Sequence, residues 1–88
     1  MKINISKLVD SKFSEKDVSS WPIWNCEVSE FNWEYGDKES CYLLDGKVVV
    51  SSDFESVTIC SGDFVVFPKG LKCHWKVTKS VKKHYILG

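Results

Sequence analysis

Apolar and polar residues alternate with a period of two along most of this chain. Phe31, Trp33 and Tyr35 alternate with Glu30, Asn32 and Glu34, and Cys73, Trp75 and Val77 alternate with Lys72, His74 and Lys76. Successive side chains of an extended strand point to opposite faces, so each run predicts a strand with one face buried. Ile3, Ile5, Leu8 and Val9 predict an edge strand within residues 2–10. Ser14-Glu15-Lys16-Asp17 has the form of a helix N-cap with an acid three residues on, and predicts one helical turn before Trp21-Pro22. Cys41 to Leu44 and Lys47 to Val50 flank Asp45-Gly46, a dipeptide favoured in two-residue hairpins, so two strands joined by a tight turn are expected there. Further strands are expected over Val57 to Ile59, Phe64 to Phe67 and Val81 to Leu87, with Pro68-Lys69-Gly70 ending the second of them. About seven or eight short strands, with turns roughly every eight to twelve residues, describe an all-β fold. The expected form is a small antiparallel jelly-roll barrel with at most a short helical turn near the N-terminus.

Composition sharpens this picture. The 88 residues include no Ala, the strongest helix former, while Val and Ile together number sixteen. The length predicts a single domain over 1–88, with 1–20 as an N-terminal strand-and-turn extension and 21–87 as the barrel. Four Trp, three Tyr and five Phe supply rings that each remove on the order of 150–250 Å² from water, which suits a barrel this small. No apolar run approaches the roughly twenty residues of a bilayer span, so no membrane association is expected. The first residues lack the apolar stretch of an export signal, and the expected compartment is the cytoplasm. Cysteines at 26, 41, 60 and 73 contain no Cys-x-x-Cys pair, which leaves zinc-ribbon and thioredoxin readings without support and free thiols as the expectation.

Charge is balanced overall but not along the chain. Residues 1–63 hold six lysines and all twelve acids; residues 64–88 hold the other six lysines and no acid. All twelve positive charges are Lys, so the basic end lacks the bidentate donors that read guanine edges or clamp phosphates. No nucleic-acid partner is expected. In an antiparallel sheet, lysines facing acids on neighbouring strands are an ordinary arrangement that would account for the pattern, with a partner for the basic end left open.

Turn spacing then becomes specific. Glu39 is followed by six residues and Gly46; Gly62 is followed by five residues, Pro68, one residue and Gly70. These resemble the E-x6-G and G-x5-P-x-G halves of the two cupin motifs. Trp21-Pro22-Ile23-Trp24, Trp33-Glu34-Tyr35, Cys41-Tyr42-Leu43, Cys73-His74-Trp75 and Lys82-Lys83-His84-Tyr85 follow in the order found in small single-domain cupins related to the ureidoglycine aminohydrolase cupin domain. The resemblance spans residues 21–87.

The resemblance implies a barrel whose interior holds a site. Metal-bearing cupins carry three His and one Glu there, and the aligned positions in this chain are Trp33, Tyr35, Glu39 and Cys73. Trp offers no lone pair and neutral Tyr is a poor ligand, so no metal and no cofactor is expected. Strand alternation turns Cys41 and Trp75 to the same side as Glu39 and Cys73, with His84 a further candidate. Glu39, Cys41, Cys73 and His84 form an alternative set for zinc. Glu39 among aromatic rings loses hydration and needs a partner: the Tyr35 hydroxyl, Lys83 or His84. Three roles stay open for it: acid/base beside a Cys73 nucleophile, polar anchor for a ligand, and a structural group at the barrel rim. The reading taken is a metal-free module binding an unidentified small molecule in a pocket of Trp33, Tyr35, Glu39, Cys41, Cys73, Trp75 and His84. The alternative is a metal- or thiol-dependent enzyme resembling ureidoglycine aminohydrolase, acting on a small ureido or amide compound with Glu39 and Cys73 as catalytic candidates. Unpaired sheet edges invite a homodimer.

Overall fold

In the computed structural model, which describes residues 1–88, strands make up 61% of the chain. They are β1 (Asn4–Lys7), β2 (Ile23–Cys26), β3 (Ser29–Glu34), β4 (Glu39–Ser52), β5 (Ser56–Cys60), β6 (Asp63–Phe67) and β7 (Lys72–Leu87). All pairings are antiparallel. The two longest strands organise the rest. β4 and β7 pair along nearly their whole length, from Glu39 opposite Leu87 to Ser52 opposite Cys73. At one end they are flanked by β6, β1 and β2, and at the other by β5 and β3. The sheet folds over itself as a jelly-roll barrel, and its main core lies inside: Leu43, Val48, Val50, Ile59, Val65, Phe67, Leu71, Trp75, Val77 and Val81 are all buried.

The N-terminal segment keeps the expected edge strand and helical turn, but Leu8 and Val9 lie outside the strand. β1 pairs with β6 at the sheet edge, and a 3-10 turn over Leu8–Asp10 follows it. A single helix, α1 (Glu15–Ser19), comes next. Its N-cap is Ser14, whose Oγ accepts from the Asp17 amide at 3.2 Å while the Asp17 carboxylate accepts from the Ser14 amide at 2.9 Å. α1 turns Val18 inward against Trp21 and Phe64, and Phe13 and Tyr42 join this second, smaller cluster on the outer face of the sheet. No helix is long and apolar enough to cross a membrane.

Two expectations are corrected. Asp45-Gly46 does not close a hairpin, because residues 39–52 form one strand. Gly46 has φ 103° and lies where the register against β7 shifts, between Leu43 and Val48. It serves a bulge, where a left-handed residue lets the strand bend. Glu39, Cys41 and Leu43 are buried before the irregularity, and Val48 and Val50 after it. The inward-facing positions therefore change from odd to even numbers across the bulge. Likewise, residues 72–87 form one strand where two were expected, since β4 provides an unbroken partner.

Three of the six C-terminal lysines face acids across strands, while Lys79 lies opposite Lys47. The register sets Lys72 opposite Glu34, Lys76 opposite Glu30 and Lys82 opposite Asp45.

Candidate functional site

Odd-numbered residues of β7 continue inward beyond the bend, so Val81 and Lys83 are buried with Trp75 and Val77. Lys83 is only 4% exposed, and Glu39, at the start of β4, is 8% exposed. The Lys83 Nζ donates to Glu39 Oε2 at 2.7 Å. The ammonium also lies 4.7 Å from the ring centroid of Trp75, 4.8 Å from that of Trp24 and 5.9 Å from that of Phe67. Carboxylate and ring faces together replace the water that a buried charge gives up.

Above this pair opens a cavity of about 290 Å³. Its walls are Trp24 of β2, Phe31 and Trp33 of β3, Tyr35, and Trp75, Tyr85 and Leu87 of β7; Glu39 and Lys83 supply its charged groups. Phe31 stacks on Trp75 at 15° with centroids 6.0 Å apart, and Trp24 meets Trp75 edge-on at 5.8 Å. Tyr35 follows β3 and is held by two backbone bonds: its amide donates to the Leu71 carbonyl and its carbonyl accepts from the Gly70 amide. The Pro68-Lys69-Gly70 turn thus fixes the ring, which stacks on Phe67 at 4.6 Å. Burial, and then the negative charge of Glu39, push the Tyr35 phenol far above its usual range, so it is a neutral hydroxyl. The Trp75 indole nitrogen is buried without a hydrogen-bond partner.

Of the seven residues expected to line a pocket, Trp33, Tyr35, Glu39 and Trp75 do so. The other three do not. Cys41 is sealed in the core beneath, where burial pushes its thiol up to about 12. Cys73 lines a separate polar groove with Asn32, Glu34, Asp53 and His74. Burial raises its thiol as well, the reverse of what an activated nucleophile requires. His84 sits on an even position and faces the other side of the sheet, where its Nδ1 donates to the Trp21 carbonyl at 2.9 Å. Trp24, Phe31, Tyr85 and Leu87 are lining residues that the sequence reading did not assign. Lys83 entered it only as one of three possible partners for Glu39. Parity along an unbroken β7 would have found both Lys83 and Tyr85.

The residues do not fit the transition metal carried by many barrels of this kind. Glu39 is engaged by an ammonium, Tyr35 is held protonated and Trp33 has no lone pair to give. The alternative set of Glu39, Cys41, Cys73 and His84 is divided by the sheet, and no three His, Cys, Asp or Glu side chains converge anywhere. Chemically, the site is an aromatic cavity with an internally neutralised ion pair on its floor.

Residues 13–85 match the family model described as the EutQ-like cupin domain. A DUF861 family protein from Thermotoga maritima is 48% identical, with 99% of this chain and 100% of that one covered and a TM-score of 0.92. A DUF861 family protein from Pseudomonas syringae is 31% identical over 72% of this chain and 28% of its own, with a TM-score of 0.65. The EutQ protein of Clostridium difficile shares the fold at 22% identity and a TM-score of 0.66, over 94% of this chain and 64% of that one. A comparison with the curated proteins found no match.

Proposed function

This chain belongs to the EutQ-like cupin family, and from that premise we propose that it binds a small molecule in the barrel cavity without a metal. The observation that carries the reading is the Lys83–Glu39 pair at 2.7 Å, which puts a tethered ammonium beside the one acid of the cavity. A free cation would meet like charge there. A neutral ligand with an apolar body and a hydroxyl group suits the site better. Its body would lie against Trp24, Phe31 and Trp75, and its hydroxyl would exchange hydrogen bonds with the Tyr35 hydroxyl or the second oxygen of Glu39. Pockets that are mostly aromatic with a few placed polar groups take ligands in this manner.

The enzyme alternative, resembling ureidoglycine aminohydrolase, has less support. A thiol mechanism needs Cys73 ionised near neutral pH, whereas burial raises that thiol. A metal mechanism needs ligands that do not converge.

Benzyl alcohol, with a ring and one hydroxyl, is a suitable probe. Titration followed by tryptophan fluorescence and by NMR should saturate, with shifts confined to residues around the cavity. Tyr35→Phe keeps the ring and should weaken binding by about threefold to tenfold, the worth of one hydrogen bond. A response that never saturates, or shifts spread over the outer surface, would refute the reading. Stoichiometric zinc or manganese that co-purifies and is lost in Glu39→Gln would favour the enzyme.

A further inference from the structure

We infer that Lys83 captures carbonyl compounds: its amine condenses reversibly with a small, apolar-bodied aldehyde to form an imine in the cavity. The inference rests on the binding site proposed above and adds a covalent step to it.

Three observations support it. First, Lys83 is one of the nine residues lining the cavity, yet it is 4% exposed, so its amine meets the cavity rather than bulk water. Second, a proton acceptor is in place. An ammonium has no lone pair, and attack requires that it lose a proton to a neighbour within hydrogen-bond reach. Glu39 Oε2 lies 2.7 Å from Nζ. Moving one proton across that bond yields a free amine and a carboxylic acid, and leaves the charge of the pair at zero, so no isolated buried charge is created. Third, the other lysines lack this arrangement. Only Lys7 among them pairs with a carboxylate, Asp63 at 3.2 Å, and its side chain is largely in water.

The steps balance as follows. The Nζ lone pair forms a bond to the aldehyde carbon while the C=O π electrons move onto oxygen. That oxygen takes the proton held by Glu39, giving a carbinolamine that still carries a positive nitrogen. Glu39 removes one proton from the nitrogen and returns it to the hydroxyl, which leaves as water while the nitrogen lone pair closes the C=N bond. The net change is ammonium plus aldehyde to iminium plus water, with Glu39 again a carboxylate. The iminium holds the same charge in nearly the same place as the ammonium it replaces. Glu39 and the faces of Trp24 and Trp75 therefore stabilise it by the same contacts. The aldehyde's apolar body would lie where benzyl alcohol's ring is expected.

Benzaldehyde with cyanoborohydride tests this on the full chain, since reduction fixes any imine as a benzylamine that peptide mass mapping locates. Lys83 should gain the benzyl group at least about tenfold faster than any exposed lysine, as expected where a positioned acid and base assist the condensation. Benzyl alcohol should protect Lys83 alone, and Glu39→Gln should slow labelling at Lys83 alone. The comparison among lysines of the unaltered protein decides the matter even if Glu39→Gln fails to fold. Labelling of Lys83 no faster than the exposed lysines, while benzyl alcohol still binds, overturns the imine and leaves the binding reading intact. Fast labelling of Lys83 without alcohol binding upholds the imine and removes the hydroxyl ligand. Failure of both discards both.

Discussion

At the scale of single residues, the Lys83–Glu39 pair dominates because each member neutralises the other out of water. Removing one partner leaves a buried charge with nothing opposite it. Lys83→Met should lower unfolding stability by about 3–5 kcal/mol, measured by urea titration. Adding Glu39→Leu to that variant should restore most of the loss, because a well-packed apolar pair of similar volume avoids desolvation altogether. A double variant no more stable than Lys83→Met would mean that the pair is not isolated from solvent as the structure places it. Cys41 gives a second prediction, in pH. Burial, opposed in part by the ammonium of Lys83, raises its thiol from 9.0 to about 12 in the folded chain. The fold therefore favours the neutral thiol. That stability is fully present below pH 9, declines as the unfolded chain ionises first, and is gone above about 12. Cys41→Val should make urea midpoints fall less steeply between pH 9 and 11. Some slope should remain, because the Tyr35 phenol and the Cys73 thiol are raised by burial too.

At the scale of elements, the bulge in β4 decides which side chains reach the interior. Gly46 holds φ 103°, and a Cβ there would run into the Ser80 carbonyl and approach Val81 Cα to 2.8 Å. Gly46→Ala should destabilise the protein by about 2 kcal/mol or more, through backbone strain plus that collision. A loss below about 0.5 kcal/mol would show that β4 can straighten. This bulge is also where reading from the sequence went astray. Asp-Gly carries the same local signal whether it turns a chain back or kinks a strand; only the partner strand settles which, and β7 is more than thirty residues away at its point of contact. Where alternation was unbroken, the sequence found the strand but not its burial: Phe31, Trp33 and Tyr35 lie on one strand and its exit, yet Trp33 is 53% exposed and only Tyr35 is buried. Ser14 caps α1 through Asp17, as its spacing predicted. The same limit governed the site. Glu39 and Tyr35 were legible through the resemblance to the cupin motifs and Trp75 through alternation from Cys73, but with β7 read as two pieces nothing carried parity from Val77 to Lys83. His84, a more familiar ligand type, then took the place that its lysine neighbour occupies.

At the scale of the whole molecule, twelve lysines balance twelve acids, and the sequence pI is about 6.7. Near that pH little net charge keeps molecules apart, so solubility at low salt should pass through a minimum between about pH 6 and 7.5. Solubility rising steadily through that range would argue that the charges are not titrating as an open surface does. β7 is bordered by β4 on one side, and by β3 and then β2 on the other, so both its edges are paired over most of its length. Its central amide hydrogens should accordingly exchange with deuterium only when the entire chain opens, at one shared, slowest rate. A ligand settling over Lys83 would slow that exchange along the whole centre of β7, and not only at Trp75, Lys83 and Tyr85, which line the cavity.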